Sequence, residues 1–269
     1  MKININSVRY HIDIAGQGEP LLLLHGFTGS MENWQPFLHE WSSAYRLVRL
    51  DLPGHGKSDL PVEPSRYAIE KIAADIKKIL EELRITKTHI LGYSMGGRLA
   101  LTFAVKYPEH VLSLIVESGS PGLETRRERI DRIKHDELLA DFIVAAGMEA
   151  FVDYWENQPL FKTQHSLPAG TRDSIRSQRL NNYPLGLANS LRGMGSGKQP
   201  PLWNSLQLLQ MPVFLIAGDK DEKFCRIAEK MSKNIRNVKI ALVPASGHAI
   251  HVEHPEIFGK MVMNFLKNV

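Results

Sequence analysis

Five residues, Gly92-Tyr93-Ser94-Met95-Gly96, set a serine between two glycines where a strand-like run (Thr88 to Leu91) gives way to a helical one (Arg98 to Lys106). That is the sequence form of a nucleophile elbow, a tight turn that lifts the hydroxyl above a sheet edge with a helix N-terminus beneath it. A serine hydroxyl is a poor nucleophile or base at neutral pH, so it needs an imidazole to take its proton and a carboxylate to orient that imidazole. His248 follows Gly247 just beyond a strand-like run and is the candidate imidazole; His251 and His254 lie deeper in the final helical stretch and are expected to pack or face solvent. For the acid, Asp221 stands third after Gly218, where a turn leaving a strand presents a carboxylate. Asp219 is the alternative, a residue type that more often forms the turn itself.

Strands and helices must bring these distant residues together. Short β-rich runs at Leu21 to Leu24, Arg46 to Asp51, Thr88 to Leu91, Val111 to Glu117, Val213 to Ala217 and Lys239 to Val243 alternate with helical ones at Ile69 to Leu83, Arg98 to Tyr107, Phe224 to Asn234 and Pro255 to Leu266. Alternation of this kind predicts an α/β fold, a mostly parallel sheet flanked by helices, with Ile3 to Ile14 as an antiparallel edge. Between Pro121 and about Leu206 no strong β run occurs and helix formers dominate, which predicts an inserted helical cap over the strand ends. The expected organisation is therefore core 1–120, cap 121–206 and core 207–269. The chain order serine, acid, histidine, each after a strand, resembles the α/β-hydrolase superfamily. That resemblance implies an oxyanion hole made by the backbone N–H groups of Phe27 and Met95.

The chain has 269 residues, 43% of them hydrophobic, enough for a sizeable core. Its 33 basic and 29 acidic residues are interspersed, so the net charge of +4 predicts no nucleic-acid surface. The lone cysteine, Cys225, excludes an intrachain disulfide and is expected to pack in a helix. With no long apolar signal core at the start and no run of membrane-spanning length, the expected location is cytoplasmic. Neither zinc-like spacing nor a phosphate-cradling glycine loop occurs, so no metal and no cofactor are implied; His25 and His55, each followed by glycine, are read as loop-supporting histidines. Oligomeric state is left open between a monomer and a weak dimer.

A superfamily does not specify a substrate, but the residues around the elbow narrow the reading. Arg98 follows the serine by four residues; Pro121-Gly122-Leu123 opens the cap; Tyr154 to Phe161 and Arg179-Leu180-Asn181-Asn182 continue it; Gly218 to Phe224 contains the acid. In these segments, and over essentially its full length, the chain resembles the 2-succinyl-6-hydroxy-2,4-cyclohexadiene-1-carboxylate synthase family of the menaquinone pathway. The resemblance implies a lyase that removes pyruvate from a small tricarboxylate, with Arg98, Arg132 and Arg179 holding carboxylates and Tyr93 and Trp155 lining the pocket. Taken alone, each arginine is as readily a surface residue, the Arg126-Arg127-Arg129-Arg132 cluster is dense enough to hide a misassignment, and Trp155 is as readily core packing. Two other classes share the motifs: a serine hydrolase acting on an ester or carbon-carbon bond, and a non-catalytic ligand-binding protein of the same fold.

Overall fold

The computed structural model describes residues 1–269. A hairpin of β1 (Lys2–Ile5) and β2 (Val8–Ala15) leads into β3 (Glu19–Leu24), a short helix α1 (Leu38–Trp41), β4 (Tyr45–Leu50), α2 (Ile69–Glu82), β5 (Thr88–Tyr93), α3 (Met95–Lys106) and β6 (Val111–Glu117). Three helices follow without a strand: α4 (Arg126–Glu156), α5 (Ala169–Leu180) and α6 (Pro184–Met194). The chain ends with β7 (Val213–Gly218), α7 (Glu222–Ser232), β8 (Val238–Val243), α8 (Ile250–Glu253) and α9 (Pro255–Leu266). The eight strands form one sheet in the order β1-β2-β4-β3-β5-β6-β7-β8, with β1 and β2 antiparallel and all pairs from β4 to β8 parallel.

The inner parallel strands β3, β5, β6 and β7 are largely apolar and buried because both faces are covered, whereas the edge strand β8 exposes Lys239, Ile240 and Leu242. In β3, Leu22 and Leu24 join the cluster that α2, α3 and α7 bury with Ile76, Phe103 and Met231, while Leu21 and Leu23 point the other way to Trp34, Trp41 and Phe258. From β3 the chain steps outward to β4 and then returns to β5 on the other side of β3, so the strand order reverses between β3 and β5. Ligands bind at such a switch point, beyond the carboxyl ends of the strands. The loop carrying Phe27 follows β3 and Ser94 follows β5, so both lie at this reversal.

The helices between β6 and β7 have their own apolar centre, in which Leu139, Ile143 and Phe151 of α4 meet Leu187 and Leu191 of α6. Helix α4 breaks at Gly147 (φ 79°, ψ 179°), a conformation open to glycine but not to side-chain-bearing residues. A Thr125–Glu128 capping box starts it.

At the elbow, Ser94 adopts φ 49°, ψ −104°, and α3 begins at the next residue, three positions before the helical run reads as beginning. Both flanking glycines are there for space. A Cβ on Gly92 would lie 2.3 Å from the Gly96 carbonyl oxygen, and one on Gly96 would lie 2.2 Å from that of Leu24.

The turn after β3 rests on two buried histidines. His25 Nδ1–H donates to the Gly26 carbonyl (2.8 Å) while its Nε2 accepts from the Leu52 N–H (2.9 Å), a pairing that requires the neutral ring. His55 donates from Nδ1 to the Pro53 carbonyl (3.1 Å), lies 5.1 Å from the His25 ring, and meets the Phe27 ring edge-on at 5.8 Å. Burial lowers both imidazoles, and for His55 burial together with His25 pushes the value down to about 3.

Replacing Gly96 by alanine should lower the urea midpoint by the equivalent of about 2 kcal/mol, because backbone must shift to accept the methyl group; an unchanged midpoint would show that the elbow has slack. His55 generates a pH dependence of stability. In the unfolded chain it binds a proton below its ordinary value of 6.5, whereas in the fold it resists protonation down to about 3. Stability present above pH 6.5 is therefore lost as the pH falls through this window, at up to about 1.4 kcal/mol per pH unit for one proton. Urea titrations of wild type and His55→Gln between pH 7 and 5 should give a shallower slope for the variant, and parallel slopes would contradict the assignment.

Candidate active site

The Ser94 hydroxyl donates to His248 Nε2 (2.9 Å), and His248 Nδ1–H donates to Asp221 Oδ2 (2.6 Å). His248 and Asp221 are both buried and Ser94 is half-buried. Asp221 is also the N-cap of α7, its Oδ1 accepting from the Phe224 N–H at 3.4 Å, so one carboxylate anchors a helix and faces the imidazole. Asp219 is exposed and its side chain has no part in this chain of hydrogen bonds. The two aspartates are thus separated by which side of the turn they occupy.

Above Ser94 the Phe27 N–H has no protein acceptor, and the Met95 N–H, at the first position of α3, has no intrahelical one. These are the two amides read from the sequence as an oxyanion hole. Phe27 is held on one side by His55 and on the other by Trp155 (ring centroids 5.4 Å) and Phe151 (6.3 Å) of the cap.

A cavity of about 190 Å³ opens onto Ser94 and His248 beneath the cap, with Phe27, Tyr93, Met95, Arg98, Arg132 and Trp155 in its wall. Arg98, one turn along α3, donates to the Met194 carbonyl (2.8 Å) and to Gln199 Oε1 (3.3 Å) and has no carboxylate partner. Burial, and next the positive Arg132, push its guanidinium down to about 10. Arg132 donates from Nε to Asp136 Oδ1 (2.8 Å), a carboxylate whose own value burial raises. Of the crowded arginine cluster Arg132 alone reaches the wall; Arg127 is exposed beside Asp131 and Arg129 bonds the Leu123 and Glu124 carbonyls. Trp155 Nε1 and Ser118 Oγ are buried without protein partners and belong to wall residues, which leaves two polar groups for an incoming molecule.

Of the expected substrate-binding residues, Arg179 is the one not in this wall. It is buried next to the wall residue Phe161, with its guanidinium 4.8 Å from that ring, 3.3 Å from Glu156 Oε1 and donating to Gln164 Oε1 at 3.0 Å. Glu156 pairs with both Arg179 and Arg176, and Arg179 packs against the aromatic wall formed by Phe161 and Trp155 (centroids 5.5 Å apart).

Three further residues support the site. Glu253 accepts from both peptide N–H groups flanking His248, that of Gly247 at 2.7 Å and that of Ala249 at 3.4 Å, and so fixes the histidine loop. Glu117, fully buried at the end of β6, accepts the Ser94 N–H with its carbonyl (2.8 Å) and His251 Nδ1–H with its carboxylate (2.9 Å). His251 in turn meets the Tyr93 ring edge-on at 4.5 Å, and Tyr93 packs on His248 at 5.5 Å. His251 and Glu253 occupy the separate short helix α8, not the final helix. Nothing in residue spacing marks either acid, since each acts across loops distant in sequence or through main-chain groups.

The α/β hydrolase fold family model matches residues 19–255. The chain is 47% identical over 98% of its length to a protein of Bacillus subtilis (strain 168) provisionally named 2-succinyl-6-hydroxy-2,4-cyclohexadiene-1-carboxylate synthase, covering 97% of that protein. It is 31% identical to the synthase of that name from Serratia proteamaculans (strain 568), over 92% of this chain and 93% of the relative. Among solved structures, MenH from S. aureus superposes with a TM-score of 0.92 at 35% identity, covering 96% of this chain and 98% of that one. With the elbow and the helices between β6 and β7 inside the matched residues, the protein belongs to the 2-succinyl-6-hydroxy-2,4-cyclohexadiene-1-carboxylate synthase family of the α/β hydrolases.

Proposed function

We propose that the chain removes pyruvate from 2-succinyl-5-enolpyruvyl-6-hydroxy-3-cyclohexene-1-carboxylate, giving 2-succinyl-6-hydroxy-2,4-cyclohexadiene-1-carboxylate in menaquinone biosynthesis. The observation that carries this reading is the charge of the cavity: Arg98 and Arg132 line it beside Ser94, and no aspartate or glutamate does. Such a wall suits a substrate bearing three carboxylates, since arginine's planar fork matches the carboxylate group. Family membership supports the same assignment.

In this reading Ser94 acts as the base. Its oxygen takes the proton beside the succinyl ketone while His248 Nε2 takes the serine's own proton, and Asp221 stabilises the resulting imidazolium. The electron pair of the broken C–H bond moves onto the ketone oxygen, where the Phe27 and Met95 N–H groups face the developing charge. It then returns through the ring double bond and breaks the ring carbon-oxygen bond. The enolpyruvyl group leaves as the pyruvate enolate, and the proton held by the imidazolium goes back to convert it to pyruvate. No acyl-enzyme forms. Tyr93 and Trp155 shape the wall. In this reading the enzyme acts in the cytoplasm on a small molecule, as a monomer or weak dimer and without nucleic acid; its single cysteine fits a reducing compartment, and no helix is long and apolar enough to cross a membrane.

The test is pyruvate release from the enolpyruvyl cyclohexene substrate, coupled to lactate dehydrogenase and corrected for spontaneous breakdown. Ser94→Ala and His248→Ala should each lose about 10³-fold or more in kcat. A Ser94 variant with near-normal turnover would remove the serine as base, and rapid ester cleavage without pyruvate release would point to a hydrolase. Arg98→Ala and Arg132→Ala should each raise KM by about tenfold or more, the size of one charge-assisted contact. Wild-type KM in both would sink the carboxylate clamp.

A further inference from the structure

The loop that presents the Phe27 N–H is a tight turn, closed by the Gly29 N–H donating to the Gly26 carbonyl (3.1 Å). Its third residue, Thr28, sits at φ 65°, where such turns favour glycine or asparagine and a β-branched residue is strained. A conformation of that kind persists where its surroundings over-determine it. Part of what holds this one comes from the cap. Asn182, buried two residues beyond the end of α5, donates from Nδ2 to the Thr28 carbonyl at 2.8 Å, and the Gln178 and Arg179 carbonyls lie 3.2 Å from the same nitrogen. Three carbonyls around one end of a carboxamide identify that end as the donor. One turn earlier, Gln178 donates to Ser30 Oγ (3.2 Å) and accepts from Asn33 Nδ2 (3.2 Å), while Asn33 Oδ1 accepts the Ser30 N–H (3.0 Å). The end of α5 thus grips the loop at Thr28 and again at Ser30, and the Phe27 ring packs on Phe151 and Trp155 of the same cap.

Resting on the oxyanion role given to Phe27 above, we propose that Asn182 is a positioning residue whose carboxamide latches the cap to the oxyanion loop and so sets the direction of the Phe27 N–H. Asn182 is not in the cavity wall, so it acts through the main chain. The charge that this N–H faces grows only as the substrate proton leaves. Loss of the latch therefore falls on kcat and spares KM.

Gly26-Phe27 is the sole Gly-Phe step in the sequence, so protein labelled with carbonyl-13C glycine and 15N phenylalanine gives one filtered amide signal that reports Phe27 alone. That signal and the kinetics of pyruvate release are compared in wild type, Asn182→Asp, Asn182→Ala and Gln178→Ala. The aspartate variant keeps the shape and removes the donor. Both Asn182 variants should displace the Phe27 signal and lower kcat about tenfold or more, less than deleting an oxyanion donor outright, with KM within about threefold of wild type. Gln178→Ala should change both readouts in the same direction by less. Ile143→Val, which weakens the apolar centre of the cap away from this loop, should lower the thermal midpoint yet leave the signal in place and kcat within about twofold. An unmoved Phe27 signal in both Asn182 variants, a kcat loss no larger than that of Ile143→Val, or a raised KM at wild-type kcat overturns this inference and leaves the lyase assignment standing. Wild type that releases no pyruvate overturns the lyase assignment, and the Phe27 signal then decides the latch: displaced in the Asn182 variants it stands, unmoved it falls.

Discussion

Ser94 is held at φ 49°, ψ −104°, a backbone conformation that costs a side-chain-bearing residue about 1–3 kcal/mol and persists only where its surroundings over-determine it. Here the surroundings are a sheet buried on both faces. The Ser94 N–H is tied to the Glu117 carbonyl of the neighbouring strand, and Gly92 and Gly96 bring β5, α3 and the end of β3 closer together than any side chain allows. One compact junction thereby points a hydroxyl out of the sheet and leaves the first amide of α3 unpaired, so that amide and the hydroxyl share one cause.

Around that junction, acidic and basic groups are arranged in layers. The wall facing the cavity contains cations and no carboxylate, while the acids stand one residue behind it: Asp136 behind Arg132, Glu156 behind Phe161 with Arg179, Glu117 beneath Tyr93 through His251. Burying an unpaired guanidinium is costly, and the lowered value of Arg98 records that cost. The rear acids keep it tolerable without offering a negative charge to the cavity. In the proposed reaction the anionic substrate completes the balance, its charges attracted by a field already in place before binding.

Much of the fold was legible because parallel strands buried on both faces read as apolar runs, and each run lies within one or two residues of an observed strand. Helix starts were less legible where a functional residue doubles as a cap: α7 begins at Glu222, not Phe224, because Asp221 caps it. Ser94, Asp221 and His248 could be read from their turns, since each turn follows a strand and its glycines mark it. The surroundings of Arg179 were not legible, because they are set by Glu156, a residue on a different helix 23 positions earlier, and by the Phe161 ring packed against its guanidinium. Glu253 and Glu117 were illegible for a related reason. Both hold main-chain amides, and a partner that is backbone leaves no trace in residue type.

A serine, an imidazole, a carboxylate and two amides do not by themselves distinguish ester hydrolysis from elimination. In each case a proton leaves the serine and negative charge grows on an oxygen facing the same two N–H groups. The difference lies in which substrate atom is presented to the serine oxygen. A carbonyl carbon placed there invites attack; a C–H bond beside a carbonyl, placed there with the carbonyl oxygen still toward Phe27 and Met95, invites proton removal. That choice requires the substrate to be gripped at points away from the reacting centre, and rigid arginine forks on a packed helix do so with less lost freedom than mobile contacts. In the proposed reaction the catalytic groups are therefore generic to the fold, and the chemistry is selected by cations set around them, on α3 and on helices inserted between β6 and β7.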